Sequence, residues 1–225
     1  MDNYMTKAAI VMALCMAVFE GVQSQNINWR AMNGNQPNIV QLNVGYDFGV
    51  TSQFSYGRTF ESVRPLMLVL DYSMPMGKDL VDDFTVRTGG EMEVFESGGF
   101  STTVKVFGNF RRYQTMLVRI ISFGSDFALM AGYYSPSWHI AGEFGFDKSI
   151  ISELEHSDVM RVSFPDIRDG WYIPSGGHYY YGIQGSKTLS ENFDLSLRIG
   201  ATRAQFHDAE AVVPAYLQIG IGARF

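Results

Sequence analysis

Apolar and polar residues alternate one by one in stretch after stretch of this chain, and the last eleven residues, AYLQIGIGARF, show the pattern most clearly. In that stretch one parity carries the apolar side chains Leu217, Ile219, Ile221, Ala223 and Phe225. The other parity carries mainly polar residues and glycine. Alternation with a period of two predicts a β-strand with one apolar and one polar face. Outside the N-terminus no stretch shows a convincing 3.6-residue period, so the chain is predicted to be all-β.

The N-terminus has the organisation of an export signal. Lys7 precedes the apolar run 8–19, and VQS at 22–24 offers a cleavage site before Gln25. Residues 1–24 are therefore predicted to be a cleaved secretory signal of Sec type, and residues 25–225 a single domain. Cys15, the only cysteine, lies inside the apolar run behind the bulky Leu14, which disfavours lipidation. The mature chain is then predicted to contain no thiol and no disulfide.

Alternation alone fits either a soluble barrel with an apolar interior or a membrane barrel with an apolar exterior. The membrane barrel is favoured because the polar parity is charged in mid-strand, at Arg87, Glu91, Lys105, Glu143, Asp194, Arg198 and Arg224. It is also favoured by aromatic residues near strand ends, where an interfacial girdle would lie: Tyr46, Phe48, Tyr133, Tyr134, Trp138 and Tyr179, Tyr180 and Tyr181. Hydrophobic residues make up 46% of the chain, but no run reaches the roughly 20 residues of a spanning helix. A helical membrane protein is therefore excluded.

The terminal strand YLQIGIGARF resembles the last strand of bacterial outer-membrane β-barrel proteins, which ends on an aromatic residue, most often Phe. The resemblance implies that barrel-assembly machinery recognises an assembly signal at Leu217, Ile219, Ile221, Ala223 and Phe225. It also implies outer-membrane lipid as a partner. The signal ending QSQN is similar to that of barrels from the Bacteroidota. The predicted fold is a transmembrane antiparallel up-and-down β-barrel in the bacterial outer membrane.

Eleven segments alternate, at 40–48, 54–60, 66–74, 84–94, 100–110, 116–123, 127–134, 138–146, 179–184, 193–202 and 215–225. Single-chain bacterial barrels have even strand numbers, so one division is wrong, most readily at GVTS or FGSD. Ten strands fit the length, and eight and twelve remain open. If both termini are periplasmic, 186–191 is a periplasmic turn and 204–214 is extracellular. The long connection 147–177 is then extracellular, and SIISELEHSDVM within it is predicted to form a helical turn or two.

In a narrow barrel the seven mid-strand charges must pair, because an unpaired charge in a low dielectric is costly. They therefore predict a salt-bridged lumen that is not an open pore. His139, His178 and Glu143 could form an acid/base group there, although a hydrogen-bonded network is the simpler interpretation. His156 with Glu153, Glu155 and Asp158 could bind a divalent cation, although a solvated acidic loop is simpler.

We predict no catalytic residue, no cofactor and no metal site. No nucleophilic serine motif or H-E-x-x-H appears. The net charge of −6 gives no electrostatic support for a nucleic-acid partner. The predicted function is a non-enzymatic barrel, structural or accessory to an envelope complex with other envelope proteins, with extracellular loops as the contact surface. The alternatives are a small porin for ions or solutes and an outer-membrane lipid or peptide hydrolase.

Overall fold

The computed structural model describes residues 27–32, 36–46, 50–76, 83–173, 176–205 and 214–225. The predicted leader 1–24, Cys15 and Phe48 lie outside these residues. The strands are β1 Asn38–Tyr46, β2 Val50–Phe60, β3 Leu66–Pro75, β4 Phe84–Ser97, β5 Phe100–Gln114, β6 Val118–Ser135, β7 Trp138–His156, β8 Gly170–Tyr172, β9 Gly177–Thr188, β10 Phe193–Ala204 and β11 Ala215–Arg224. One short helix, α1, spans Asp158–Ser163.

Ten of these strands close into a ring. Each pairs antiparallel with its neighbours in the order β6-β5-β4-β3-β2-β1-β11-β10-β9-β7, and β6 pairs with β7 to complete the circle. The three-residue β8 lies outside the ring and pairs only with β7, at 152–154. The fold is thus a transmembrane antiparallel up-and-down β-barrel of ten strands, which confirms the predicted class and the preferred strand number. Among the described residues, no helix has both the length and the apolarity to cross a membrane.

Most strands extend beyond the predicted segments; β9, for example, runs to Thr188, into the predicted turn 186–191. Two further differences change how the chain is divided. FGSD is no turn, because β6 runs through it with a register shift between Phe123 and Gly124 that absorbs the break in alternation. The predicted segments 116–123 and 127–134 are therefore one strand. The long connection begins at Ser157 rather than at 147, because SIISELEH continues β7. Only the next residues form a helix, and the Ser157 side chain accepts a hydrogen bond from the Met160 amide at its start.

The two ends of the barrel differ. The turn end, where Asn38 and Phe225 lie, has the short connections 61–65, 98–99, 136–137 and 189–192. The loop end has the longer connections 157–176 and 205–214. Outer-membrane barrels have short periplasmic turns and longer extracellular loops, so this asymmetry agrees with the predicted orientation.

Apolar side chains cover the outer face of the barrel and polar ones fill the inner face. On β10, for example, Leu195, Leu197 and Ile199 are about half exposed, while Ser196 and Arg198 between them are buried. Near the loop end, one outward row of aromatic rings has centroids 5.1–6.3 Å apart, formed by Tyr72, Phe84, Phe110, Phe123 and Trp171. Such a row is typical of an interfacial girdle.

The predicted girdle is wrong at two of its members. Tyr134 and Tyr180 are buried in the lumen, whereas Tyr133, Tyr179 and Tyr181 face outward. Adjacent strand residues point to opposite faces, so a run of consecutive tyrosines cannot all lie in one girdle.

Candidate functional site

The seven charged side chains singled out in the sequence all face the lumen and are buried: Arg87, Glu91, Lys105, Glu143, Asp194, Arg198 and Arg224. Each belongs to an ion pair. Lys105 Nζ lies 2.9 Å from Glu91 Oε1, and Arg224 Nε lies 3.0 Å from Asp194 Oδ2. These two pairs join neighbouring strands, β4 with β5 and β10 with β11. Arg87, Arg198 and Glu143 make contacts that reach further across the lumen.

Arg87, on β4, forms one half of a central network. Its guanidinium bonds to Asp71 Oδ2 on β3 at 2.8 Å and to Asp126 Oδ2 on β6 at 3.1 Å. The Tyr180 hydroxyl, on β9, donates to the other oxygen of Asp126 at 2.8 Å. The contacts therefore reach from β3 to β9 through the interior.

Arg198, on β10, forms the other half. Its Nε donates to Glu143 Oε1 on β7 at 2.6 Å, and its Nη1 donates to Gln218 on β11 at 3.3 Å. The Tyr216 hydroxyl donates to the same Glu143 oxygen, and the Tyr216 ring lies 4.2 Å from the Arg198 guanidinium carbon. That guanidinium carbon is also 5.7 Å from the Tyr180 ring, so the two halves meet.

Three charged members of the lumen are not predicted from the sequence, namely Asp71, Asp126 and Asp147. Arg111 pairs with Asp147, and Asn109 donates to Asp147 Oδ2 at 3.0 Å. Asp71 lay on the inward parity of a predicted strand and could have been found. Asp126 and Asp147 lie where the sequence predicts a turn and a loop, so alternation gives no direction to their side chains.

Interior glycines make room for the aromatic members of the network. A Cβ at Gly145 would overlap the Tyr180 ring, and a Cβ at Gly200 would overlap the Tyr216 ring and hydroxyl. Each tyrosine thus lies flat against the barrel wall over a glycine. This packing lets both hydroxyls reach carboxylates in the centre of a narrow lumen.

An apolar layer lies between this network and the turn end. Along β3 the inward residues are Met67 and Val69, followed by Asp71 on the loop side. The N-terminal segment 27–32 lies inside the lumen at this level, where Ile27 and Trp29 join a buried cluster with Ile39, Met67, Val69, Phe107, Tyr134 and Ala141. The sequence indicated only an irregular lead-in here.

The histidines do not form the acid/base group that was considered. His139 is opposite Ser186 and His178 is opposite Asp147 in the β7–β9 register. His139 and Asp147 are eight residues apart on β7, so the two histidines lie about 26 Å apart along the strand direction. Glu143 is instead bonded to Arg198 and Tyr216.

The His156 group is not a cation site in the described part of the chain. Glu153 and Glu155 lie on the parity opposite to buried His156, whose ring pairs with Asp169 at 2.8 Å. No group of three or more potential metal ligands occurs among the described residues.

The terminal strand completes the ring. The Phe225 amide donates to Asn38 O at 3.0 Å, and the Asn38 amide donates to Phe225 O at 3.1 Å. Phe225 and its same-parity neighbours Leu217, Ile219 and Ile221 are about half exposed on the outer face, and Ala223 lies between them. The final residue is therefore part of the barrel wall.

No protein-family model and no curated protein matches the sequence. Among solved structures, the chain is similar to a KdgM porin, with TM-score 0.42 and 8% identity over 83% of this chain and 99% of that chain. It is also similar to the β domain of the Bordetella autotransporter BrkA, with TM-score 0.38 and 10% identity over 84% and 97%. A Rh. blastica porin mutant gives TM-score 0.22 and 6% identity over 84% and 98%. Similarities at these levels do not extend to function.

Proposed function

We propose that this chain is a non-enzymatic outer-membrane barrel whose lumen is closed, serving as a structural or accessory subunit of an envelope complex. The observation that supports this function is the polar network running from Asp71 through Arg87, Asp126 and Tyr180 to Arg198 and Glu143. It links β3, β4, β6, β9, β10 and β7. Side chains that bond to one another across a ten-stranded barrel leave little room for a solute path.

The outer membrane is proposed because the apolar outer face needs lipid and because a closed ring satisfies its backbone groups without water. Barrel-assembly machinery is then the expected partner during insertion, with the outward residues of β11 as its recognition strand. A Bacteroidota source stays a prediction from the signal ending alone.

The contact surface is proposed to lie at the loop end. There β6 and β7 extend above the outward aromatic row and carry the exposed ion pair Arg119–Glu155. Helix α1 next to them exposes the apolar side chains Val159 and Val162. A projecting element with mixed charged and apolar side chains is suited to contact another protein.

Single-channel recording in planar bilayers tests the closed lumen. The purified wild-type barrel should give no steady conductance above the bilayer background. Arg198→Ala should destabilise the barrel without creating an ion-selective pore. Mild-detergent purification from native membranes should also yield a stoichiometric partner, and a chain lacking Val159–Ser163 should lose it.

A small porin is the competing function, and it is the one that the names of two structural neighbours suggest. A porin would keep its lumen arginines hydrated, and their loss would change ion selectivity with little effect on stability. Steady wild-type conductance, with a selectivity shift in a normally stable Arg198→Ala barrel, would replace the proposed function with this one.

A further inference from the structure

Residues 27–32 fill the turn-end lumen as a compact turn. The amides of Ala31 and Met32 both donate to Asn28 O, at 2.9 and 3.3 Å, and the Arg30 amide donates to Asn28 Oδ1 at 3.2 Å. Three backbone amides of the segment are thus bonded within it. Ile27, Asn28 and Trp29 are all buried, with 4%, 4% and 7% of each residue exposed, and Trp29 has the largest side chain of the three.

The polar contacts of this segment reach opposite walls of the barrel. The indole Nε1 of Trp29 donates to Thr103 Oγ1 on β5 at 3.0 Å, and Arg224 on β11 donates to the Ala31 carbonyl. β5 and β11 are five strands apart in the ring of ten, so they face each other. Asn28 Nδ2 also donates to Ser135 O at the end of β6, at 2.8 Å. The segment therefore spans the lumen.

The barrel offers an apolar pocket to this segment although most of its interior is polar. The side chains that surround Ile27 and Trp29 come from five different strands and include Ile39, Val69 and Phe107. If the segment were absent, water would contact this apolar surface, which is unfavourable in free energy. The pocket wall and the polar groups at its edge match an aromatic side chain together with peptide groups.

We propose that the turn-end lumen is a binding pocket for an aromatic peptide segment, and that the chain's own residues 27–32 occupy it as a plug. The recognition chemistry is an indole in an apolar cavity with one hydroxyl acceptor, and a peptide carbonyl on the Arg224 guanidinium. The surface ion pair Arg30–Glu96 adds little, because it is exposed. The plug lies on the turn side of the central network, so it can be tested without a conductance measurement.

Cysteine accessibility in the full chain tests the plug. Val69→Cys places a thiol in the pocket wall, and the predicted mature chain has no other cysteine. In the intact barrel a membrane-impermeant maleimide should label this thiol at least about tenfold more slowly than in a Trp29→Asp background, because a buried site reacts only through local opening. Arg30→Ala is the matched control and should leave the slow labelling unchanged. Ser97→Cys, in the exposed end of β4, should be labelled quickly in every background.

A peptide in trans tests the pocket as a binding site. Added INWRAM, the sequence of residues 27–32, should restore protection of Val69→Cys in the Trp29→Asp chain, and the same peptide with Trp replaced by Ala should not. Fast labelling in the intact barrel, or equally slow labelling in both backgrounds, would overturn the plug. If Trp29→Asp exposes the Val69→Cys thiol and the added peptide does not protect it, the proposal that the pocket binds a peptide is overturned.

A second measurement covers the case in which Trp29→Asp does not fold. Trp138→Phe and Trp171→Phe leave Trp29 as the only tryptophan, and both replaced side chains are about half exposed on the outer surface. Iodide should quench Trp29 fluorescence several-fold less in the folded barrel than in the urea-unfolded chain. Equal quenching in the two states would overturn the plug. Because conductance plays no part in either test, failure here is distinguishable from failure of the closed-lumen function.

Discussion

At the scale of the residue, Arg198 contributes to lumen stability by neutralising the buried Glu143 carboxylate. Its side chain is 1% exposed and bonds to Glu143 and Gln218. Arg198→Ala should lower the free energy of unfolding by about 3–5 kcal/mol, because it leaves the Glu143 carboxylate buried without its cation. Urea unfolding of the barrel in lipid vesicles, followed by tryptophan fluorescence, measures the loss.

Arg203 provides the control for Arg198 on the same strand. It is exposed and lies on the opposite parity, so Arg203→Ala should change the free energy of unfolding by less than about 0.5 kcal/mol. Equal effects of the two substitutions would show that the lumen location of Arg198 does not matter.

Asp169, in the connection after α1, carries a pH-dependent contact. The His156 amide and ring nitrogen each lie 2.8 Å from Asp169 Oδ1, and Arg161 lies 2.6 Å from the other oxygen. The His156 amide hydrogen bond first, then the His156 ring and Arg161, lower the pKa of Asp169 from 3.8 to about 2. A lowered carboxyl pKa means that the contact stabilises the loop above pH 4 and is lost as the pH falls through about 2.

The amide proton shift of His156 in NMR spectra reports this titration. We expect its midpoint near pH 2, and we expect Asp169→Asn to abolish the transition. A midpoint near 4, the ordinary value for an aspartate, would contradict the role of these hydrogen bonds.

At the scale of the element, alternation predicted strand faces well and strand limits poorly. The inward parity of Arg87 or Arg198 followed from the period of two, because one face must be apolar for lipid. The bulge at Phe123 breaks the alternation beside the turn residues of FGSD, so the sequence divides one strand into two. The rule of even strand numbers indicated a wrong division but could not choose between FGSD and GVTS. The position of Trp29 could not be predicted either, because a segment without periodicity gives no direction to its side chains.

Gly200 of β10 lies beneath the Tyr216 ring of β11, and this packing lets Tyr216 reach the lumen network. Gly200→Ala should displace Tyr216 from the wall, weaken its bond to Glu143 and cost about 1–3 kcal/mol of unfolding free energy. Gly142→Ala is the control, because a Cβ there would meet only two carbonyl oxygens at 3.9 Å. A destabilised Gly142→Ala with an unaffected Gly200→Ala would contradict this packing.

The terminal strand supports a prediction about assembly. Phe225→Asp keeps the backbone pairing with Asn38 but replaces an aromatic side chain on the outer face with a charge. It should reduce the amount of folded barrel in the outer membrane and leave unfolded chain in the periplasm. Leu189→Asp, at an exposed position in a turn of the same end, should assemble normally. Equal assembly of both variants would count against Phe225 as part of the signal.

At the scale of the whole molecule, ring closure predicts resistance to detergent. Every one of the ten strands pairs on both sides, through β1–β11 and β6–β7 as well as the hairpins, so no ring edge is free to start unravelling. The mature chain should therefore fractionate with outer membranes. Its unheated form should migrate faster than its heated form in SDS gels.

Two proline substitutions separate ring closure from strand pairing in general. Val44 lies in β1 between Ile219 of β11 and Ser52 of β2. Replacing it with proline removes a backbone N–H donor from the hydrogen bonds between ring strands. Trp171→Pro removes pairing only between β7 and the outlying β8. Val44→Pro should abolish the faster-migrating form, whereas Trp171→Pro should retain it, because fraying of β8 leaves all ten ring strands paired. If both variants lost the faster form, or if the wild-type chain showed no heat-dependent shift, the closed ring would not be the unit that resists detergent.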